Sequence, residues 1–140
     1  MPDVVVTVPK TFRCPPSARV GLGAWIDEGD AAGQSESGRL WSFTTFGPCP
    51  DIVPGERVYI VCEGRLRGYA PLVEMEFEDC GGGMGHVEFI RGGGAVAVTV
   101  PERIIGFRGW RYRWWGYAAE LPFPEWQESE AFRKAAPLFQ

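Results

Sequence analysis

Apolar and polar positions alternate with a period of two along much of this chain, and Gly- and Pro-containing clusters interrupt the alternation at short intervals. Short strands folded back on one another produce this pattern. Residues 4–8 are a first apolar run, ended by Pro9. Ser17 is placed to cap a short helix through Ala18, Arg19 and Val20 toward Trp25 and Ile26, although Gly21 and Gly23 each weaken a helix interior by roughly 1 kcal/mol against Ala. Residues 27–38 are small, polar and acidic and read as a loop. In residues 39–46, Leu40, Ser42 and Thr44 alternate with Trp41, Phe43 and Thr45, a strand that Gly47-Pro48 stops. Pro54-Gly55 makes a turn, residues 58–62 a strand, and Glu63-Gly64 a two-residue hairpin into a long strand over 65–78.

That long strand changes character partway. Val73, Met75 and Phe77 share one face opposite Glu74, Glu76 and Glu78, but the same parity carried back puts Arg65 and Arg67 on the apolar face. A bulge at Gly68 or Pro71 resolves the conflict, and either way Arg65 and Arg67 lie together at a strand end. Residues 81–85 read as a Gly-rich flexible loop. Residues 87–90 and 95–100 read as a hairpin about Gly92-Gly93-Gly94, and 103–117 as the last β segment. Residues 125–136 have helical composition, with Trp126 and Phe132 as anchors. The expectation is one domain over 1–140, mainly β with short flanking helices (α+β), without internal repeats.

Composition narrows the class. At 140 residues and 45% hydrophobic, the chain can bury a core without staples, and 19 Gly with 12 Pro suit a turn-rich β fold. A net charge of −4 gives no global attraction to phosphate, so any nucleic-acid contact requires a local basic patch. Twelve Arg stand against Lys10 and Lys134 alone, a bias that either genomic base composition or selection for planar, bidentate, stacking cations produces. Cys14, Cys49, Cys62 and Cys80 show no zinc-ribbon or redox spacing, and neither a signal peptide nor a membrane-length apolar stretch is evident. A cytoplasmic protein with reduced thiols, no membrane partner, no metal and no cofactor is expected.

The segment Pro54-Gly55-Glu56-Arg57-Val58-Tyr59-Ile60-Val61, followed by Gly64-Arg65-Leu66-Arg67-Gly68-Tyr69-Ala70, resembles the central hairpin of the PUA-like superfamily, which includes the ASCH and EVE domains. Trp41-Ser42-Phe43 is similar to the aromatic strand that precedes this hairpin in EVE-like members, and the likeness spans about residues 39–78. The resemblance implies a small PUA-like pseudo-β-barrel flanked by helices, with a cleft that binds RNA or reads a modified base. It also implies that cleft aromatics, here Trp25 and Trp41, sandwich an extruded base. The G-x-K-x-x-E-x-R signature of ASCH domains is absent, and Gly21-Leu22-Gly23-Ala24-Trp25 stands roughly in its place, so ASCH ribonuclease activity does not carry over.

Candidate chemistry concentrates in Phe107-Arg108-Gly109-Trp110-Arg111-Tyr112-Arg113-Trp114-Trp115. Residues 103–117 hold four Arg and no acid. Strand parity puts Arg111, Arg113 and Trp115 on one face and Trp110, Tyr112 and Trp114 on the other, which reads as core. Guanidinium groups beside an exposed ring suit single-stranded nucleic acid. The expected site is therefore Arg65, Arg67, Arg111 and Arg113 on phosphates, with Arg108 and Arg103 as flanking candidates. Trp115 with Trp25 or Trp41 would contact bases of RNA or of DNA carrying a modified base, without catalysis.

Other constellations fail on their spacing. His86 is the only histidine, which excludes multi-histidine sites, and Cys80 with His86 fits no standard metal or nucleophile arrangement. Residues 81–85 lack the Lys-Ser/Thr of a phosphate loop, and alternating Glu74, Glu76 and Glu78 read as a solvated face. Two rival classes remain. A metal-independent ribonuclease or other hydrolase requires Tyr59, Tyr69, Glu63 and His86 to converge. A protein-interaction module of phage or mobile-element origin would use the Trp-rich segment as its hot spot. Oligomeric state is left open.

Overall fold

The structure, a computed structural model, describes residues 3–12, 20–25, 41–91 and 95–122. Eight strands follow in chain order: β1 (Val4–Thr7), β2 (Trp41–Pro48), β3 (Arg57–Cys62), β4 (Arg65–Gly81), β5 (Met84–Arg91), β6 (Val98–Thr99), β7 (Trp110–Tyr112) and β8 (Leu121–Pro122), with a 3₁₀ turn at Tyr117–Ala119 before β8. Among the described residues no helix is long and apolar enough to cross a membrane. Ser17 with the start of the expected first helix, the loop at 27–38, the Gly92–Gly94 turn and the expected helix at 125–136 lie outside the described residues.

Six strands form one sheet in the order β2-β5-β4-β3-β1-β7, and β6 pairs with β8 separately. β1 runs parallel to β3, and the other pairings are antiparallel. The sheet curls into a half-barrel, so the mainly β, barrel-like expectation holds. Its two end strands approach at one corner, where the Trp110 indole N–H donates to the Pro48 carbonyl at 2.7 Å.

Two turns make the long hairpins possible. Glu63 and Gly64 both take positive φ (55° and 80°), as do Gly82 and Gly83 (63° and 81°). Type I′ turns require this and match the twist of the strands they join. The Gly-rich stretch is therefore a tight hairpin turn between β4 and β5, not the loop expected from composition.

The parity conflict in β4 is resolved by two register shifts. Ile60 pairs with Gly68 and Val61 with Leu66, which leaves Arg67 as the extra residue of a bulge one position before Gly68. A second shift falls between Leu72 and Glu74. It turns Val73 outward to 39% exposure, so the inward face is Leu72, Met75 and Phe77, without Val73.

Inside the curl, Val4, Val6, Val58, Ile60, Ala70, Leu72, Val87 and Phe89 pack with Trp25 from the helical turn at 22–25. The outer face of β1, β3 and the first part of β4 is also buried, because residues 95–122 cross it and contribute Val100, Ile104 and Trp115 against Val5, Tyr59, Val61 and Leu66. The expected hairpin between β5 and residues 95–100 does not form. β2 occupies the far side of β5, and Val96 bridges Tyr69 on β4 instead. Residues 103–117 likewise yield one short strand, β7, before the Arg113 N–H turns to the Asp3 carbonyl and the ladder ends.

Candidate nucleic-acid interface

The hairpin between β3 and β4 defines one end of the sheet, and cations collect there. Arg65 stands opposite Cys62 and is exposed. The Ile104 N–H donates to the Gly64 carbonyl at 2.9 Å, which seats the covering segment on the turn. Arg103, also exposed, lies against Gly64, with its Nε 3.3 Å from where a Cβ would stand. The next residue back, Glu102, accepts a hydrogen bond from the Trp114 indole at 3.2 Å, so an indole that is 45% exposed is tied to the residue that precedes Arg103.

The second basic group joins the same end through β1. Thr7 lies opposite Val61, one residue before Cys62, and its hydroxyl accepts from the Phe107 N–H at 3.0 Å. Arg111, exposed on β7, lays its guanidinium over the Phe107 ring at 4.3 Å, and exposed Arg108 follows that ring in sequence. Arg65 and Arg103 thus stand at the hairpin, while Arg108 and Arg111 belong with the Phe107 segment that Thr7 holds on the neighbouring strand. Among the described residues, the acids Glu63 and Glu102 adjoin these segments in sequence. Arg65, Arg103, Arg108 and Arg111 are all exposed.

Several expected site residues are placed elsewhere. Arg67 is 6% exposed, with its Nε donating to the Cys62 carbonyl at 3.0 Å and Nη2 lying 3.9 Å from Glu63. As the bulged residue it folds back over its own turn and clamps it. Arg113 is held by Asp3, Nε to Oδ2 at 3.1 Å, and also donates to the Trp115 carbonyl. Trp115 is 7% exposed and packs edge-on against Tyr59 with ring centroids 5.2 Å apart, so it offers no stacking surface. The parity that assigned it outward stops with β7 at Tyr112, and beyond that point Trp115 turns in and Trp114 out. Trp25 is 2% exposed beneath the Arg91 guanidinium at 3.7 Å and fills the barrel interior, where no extruded base can enter. Trp41 opens β2, and its side chain is not among those described.

Sequence reasoning missed a second polar centre under the covering segment. Asp3 accepts from the Arg57 backbone N–H at 2.8 Å and from the Tyr117 hydroxyl at 2.7 Å in addition to Arg113. Glu120 accepts from the Tyr59 hydroxyl at 2.5 Å, from the Trp115 indole at 2.9 Å and from Arg57 at 3.2 Å. Arg57 lies between the Tyr69 and Tyr117 rings, 4.2 and 4.4 Å from their centroids. Two cations meet two carboxylates with complementary donors, which is the condition for a buried ionic cluster to be tolerated. Burial first, then the Glu120 carboxylate, pushes the Tyr59 phenol well above its ordinary value. The cluster ties residues 113–120 to the sheet. Its partners are separated by 61 and 114 positions, so no local motif announces it.

The groups required for hydrolysis are not brought together. Tyr59 pairs with Tyr69, whereas His86 pairs with Glu78, nine residues along β4 and about 30 Å of strand away. An open depression of about 660 Å³ lies on the opposite half of the sheet, lined by Thr44, Glu76, Phe77, Glu78, His86 and Glu88. Among the described residues no group of three acidic, Cys or His side chains is arranged to hold a metal ion. Compared with known protein families, curated proteins and solved structures, the chain matches none.

Proposed function

We propose that this protein is a non-catalytic nucleic-acid-binding module that takes single-stranded RNA or DNA at the β3–β4 hairpin end. The PUA-like likeness of that hairpin agrees with this reading. In it, Arg65, Arg103, Arg108 and Arg111 meet phosphates, and the exposed Trp114 ring stacks on a base. Arg67 and Arg113 act on the fold, holding the turn and the covering segment. The observation that carries the reading is the exposed Trp114 indole bonded to Glu102, next in sequence to Arg103, which lies against the Gly64 turn that precedes Arg65. Cation and stacking ring together are what sequence-tolerant single-strand binding uses. The free thiols of Cys49, Cys62 and Cys80 agree with a reducing cytoplasm.

The test is anisotropy of labelled single-stranded RNA across a salt series. Each phosphate contact contributes roughly −0.7 to the slope of log K against log salt, so Arg103→Ala with Arg111→Ala flattens the slope by about 1.4. Trp114→Ala weakens binding with the slope unchanged. Affinity and slope that survive both changes refute the proposal.

A further inference from the structure

The other half of the sheet has an edge that its sequence does not protect. β2 ends the strand order and reads Trp-Ser-Phe-Thr-Thr-Phe-Gly-Pro, eight residues without a charge. Natural edge strands are usually guarded by charges, proline or bulges, because an open row of N–H and C=O groups templates another strand. Among the described residues, closure exists only at the C-terminal end, where Trp110 bonds Pro48 and Gly109 abuts the Phe46 carbonyl. Among the described residues, the backbone of 42–45 makes no hydrogen bond beyond its ladder with β5.

The surface beside that edge is strongly acidic. Thr44 pairs with Glu88 on β5, and Glu88 pairs in turn with Glu76 on β4, flanked on the same face by Glu74 and Glu78. Like charges directly across a ladder are unfavourable. The consequence is visible at Glu76, whose carboxyl is raised by its hydrogen bond with Glu88 and then by the charges of Glu74 and Glu88. Among the described residues none of these four carboxylates is in an ion pair.

We propose that the β2 edge docks an extended polypeptide segment with Arg or Lys at alternate positions, added to the sheet as a further strand. Strand alternation puts every second side chain of such a segment on the Thr44 face, beside the acidic depression. The intervening side chains meet Phe43 and Thr45, so they are apolar. Nucleic acid is repelled by this face, and a second copy pairing β2 on β2 would bring two sets of carboxylates together. The inference is independent of the nucleic-acid reading, because it uses the 42–45 edge and the carboxylates of β4 and β5, whereas that reading uses the arginines of the β3–β4 hairpin and of residues 103–111.

The probe is a labelled peptide that alternates arginine with valine and is long enough to pair with residues 42–45, compared with peptides N-methylated on every second residue in either register. Edge pairing predicts that one methylated register loses binding and the other keeps it, with hydrogen exchange slowed at residues 42–45. Glu76→Gln with Glu88→Gln weakens binding by roughly ten-fold, and more at low salt. Thr44→Lys, which adds an edge charge, abolishes it. Equal binding in both methylated registers overturns the proposal, as does unchanged exchange in β2. A homodimer that already protects β2 before peptide is added overturns it too.

Discussion

The two halves of the sheet follow different rules. β3 is buried at five consecutive positions after Arg57, and its sequence is a continuous apolar run. β5 alternates, with Gly85, Val87, Phe89 and Arg91 buried and the residues between them more exposed. Both are central strands, so position in the sheet does not explain the contrast. The difference is residues 95–122, which cross β1, β3 and the first part of β4 and leave β5, β2 and the end of β4 uncovered. The covered half gathers cations at its hairpin end, and the uncovered half carries the glutamates. A net charge of −4 conceals this separation.

If residues 113–120 are held on the covered half by Asp3 and Glu120, the largest effect belongs to Asp3→Ala. It leaves Arg113 and the Tyr117 hydroxyl without their acceptor and costs about 3–5 kcal/mol in urea unfolding. A cost under about 1 kcal/mol would detach the covering segment from the account. On the uncovered half, Gly85→Ala places a Cβ into the Glu78 carbonyl across the β4–β5 ladder. It is expected to cost about 1–3 kcal/mol without altering the fluorescence of buried Trp115.

Tyr59→Phe removes one hydroxyl bonded to Glu120 and Arg57, for about 1–2 kcal/mol. Its pH dependence is more diagnostic. Tyr59 and Tyr117 are both raised in the fold, Tyr59 chiefly by burial and Tyr117 chiefly by its hydrogen bond to Asp3. A raised acid contributes stability that is present below the unfolded tyrosine value of about 10 and lost as pH rises through the folded value. Chemical denaturation from pH 8 upward therefore shows a decline that Tyr59→Phe flattens. The smallest effect is Glu88→Gln, which relieves the like-charge pair with Glu76. Glu76 is raised, so its ionisation opposes folding as pH rises through the carboxylate range. The variant gives a slight gain in unfolding midpoint at neutral pH, and that gain vanishes in acid.

The sequence made the uncovered half readable because alternation survives wherever one face meets water. β2, β3, β4 with its hairpin turn, and β5 were all legible, as was the need for a bulge after Arg65. What failed was parity at and beyond β7 and at the bulge: Tyr112, expected in the core with Trp110 and Trp114, is 43% exposed although it pairs with Val4. Trp115 and Trp114 exchanged places because β7 ends at Tyr112, and Arg67 was buried by the very bulge that the pattern required. Arg103 had only a flanking rank, since its approach to Gly64 spans thirty-nine positions. Asp3, Arg57 and Glu120 carried no signal, because their cluster exists only once the covering segment has crossed the sheet.

The central claim is that cations from the β3–β4 hairpin and from residues 103–111 form one nucleic-acid surface. It is tested most directly by titrating single-stranded RNA into labelled protein and following backbone amide and indole resonances. The account predicts perturbations at Arg65, Arg103, Arg108 and Arg111 and at the Trp114 indole, with Thr44, Glu76 and Glu88 unmoved. Shifts centred on β2 and β5, or none at oligonucleotide concentrations that saturate comparable modules, would contradict it.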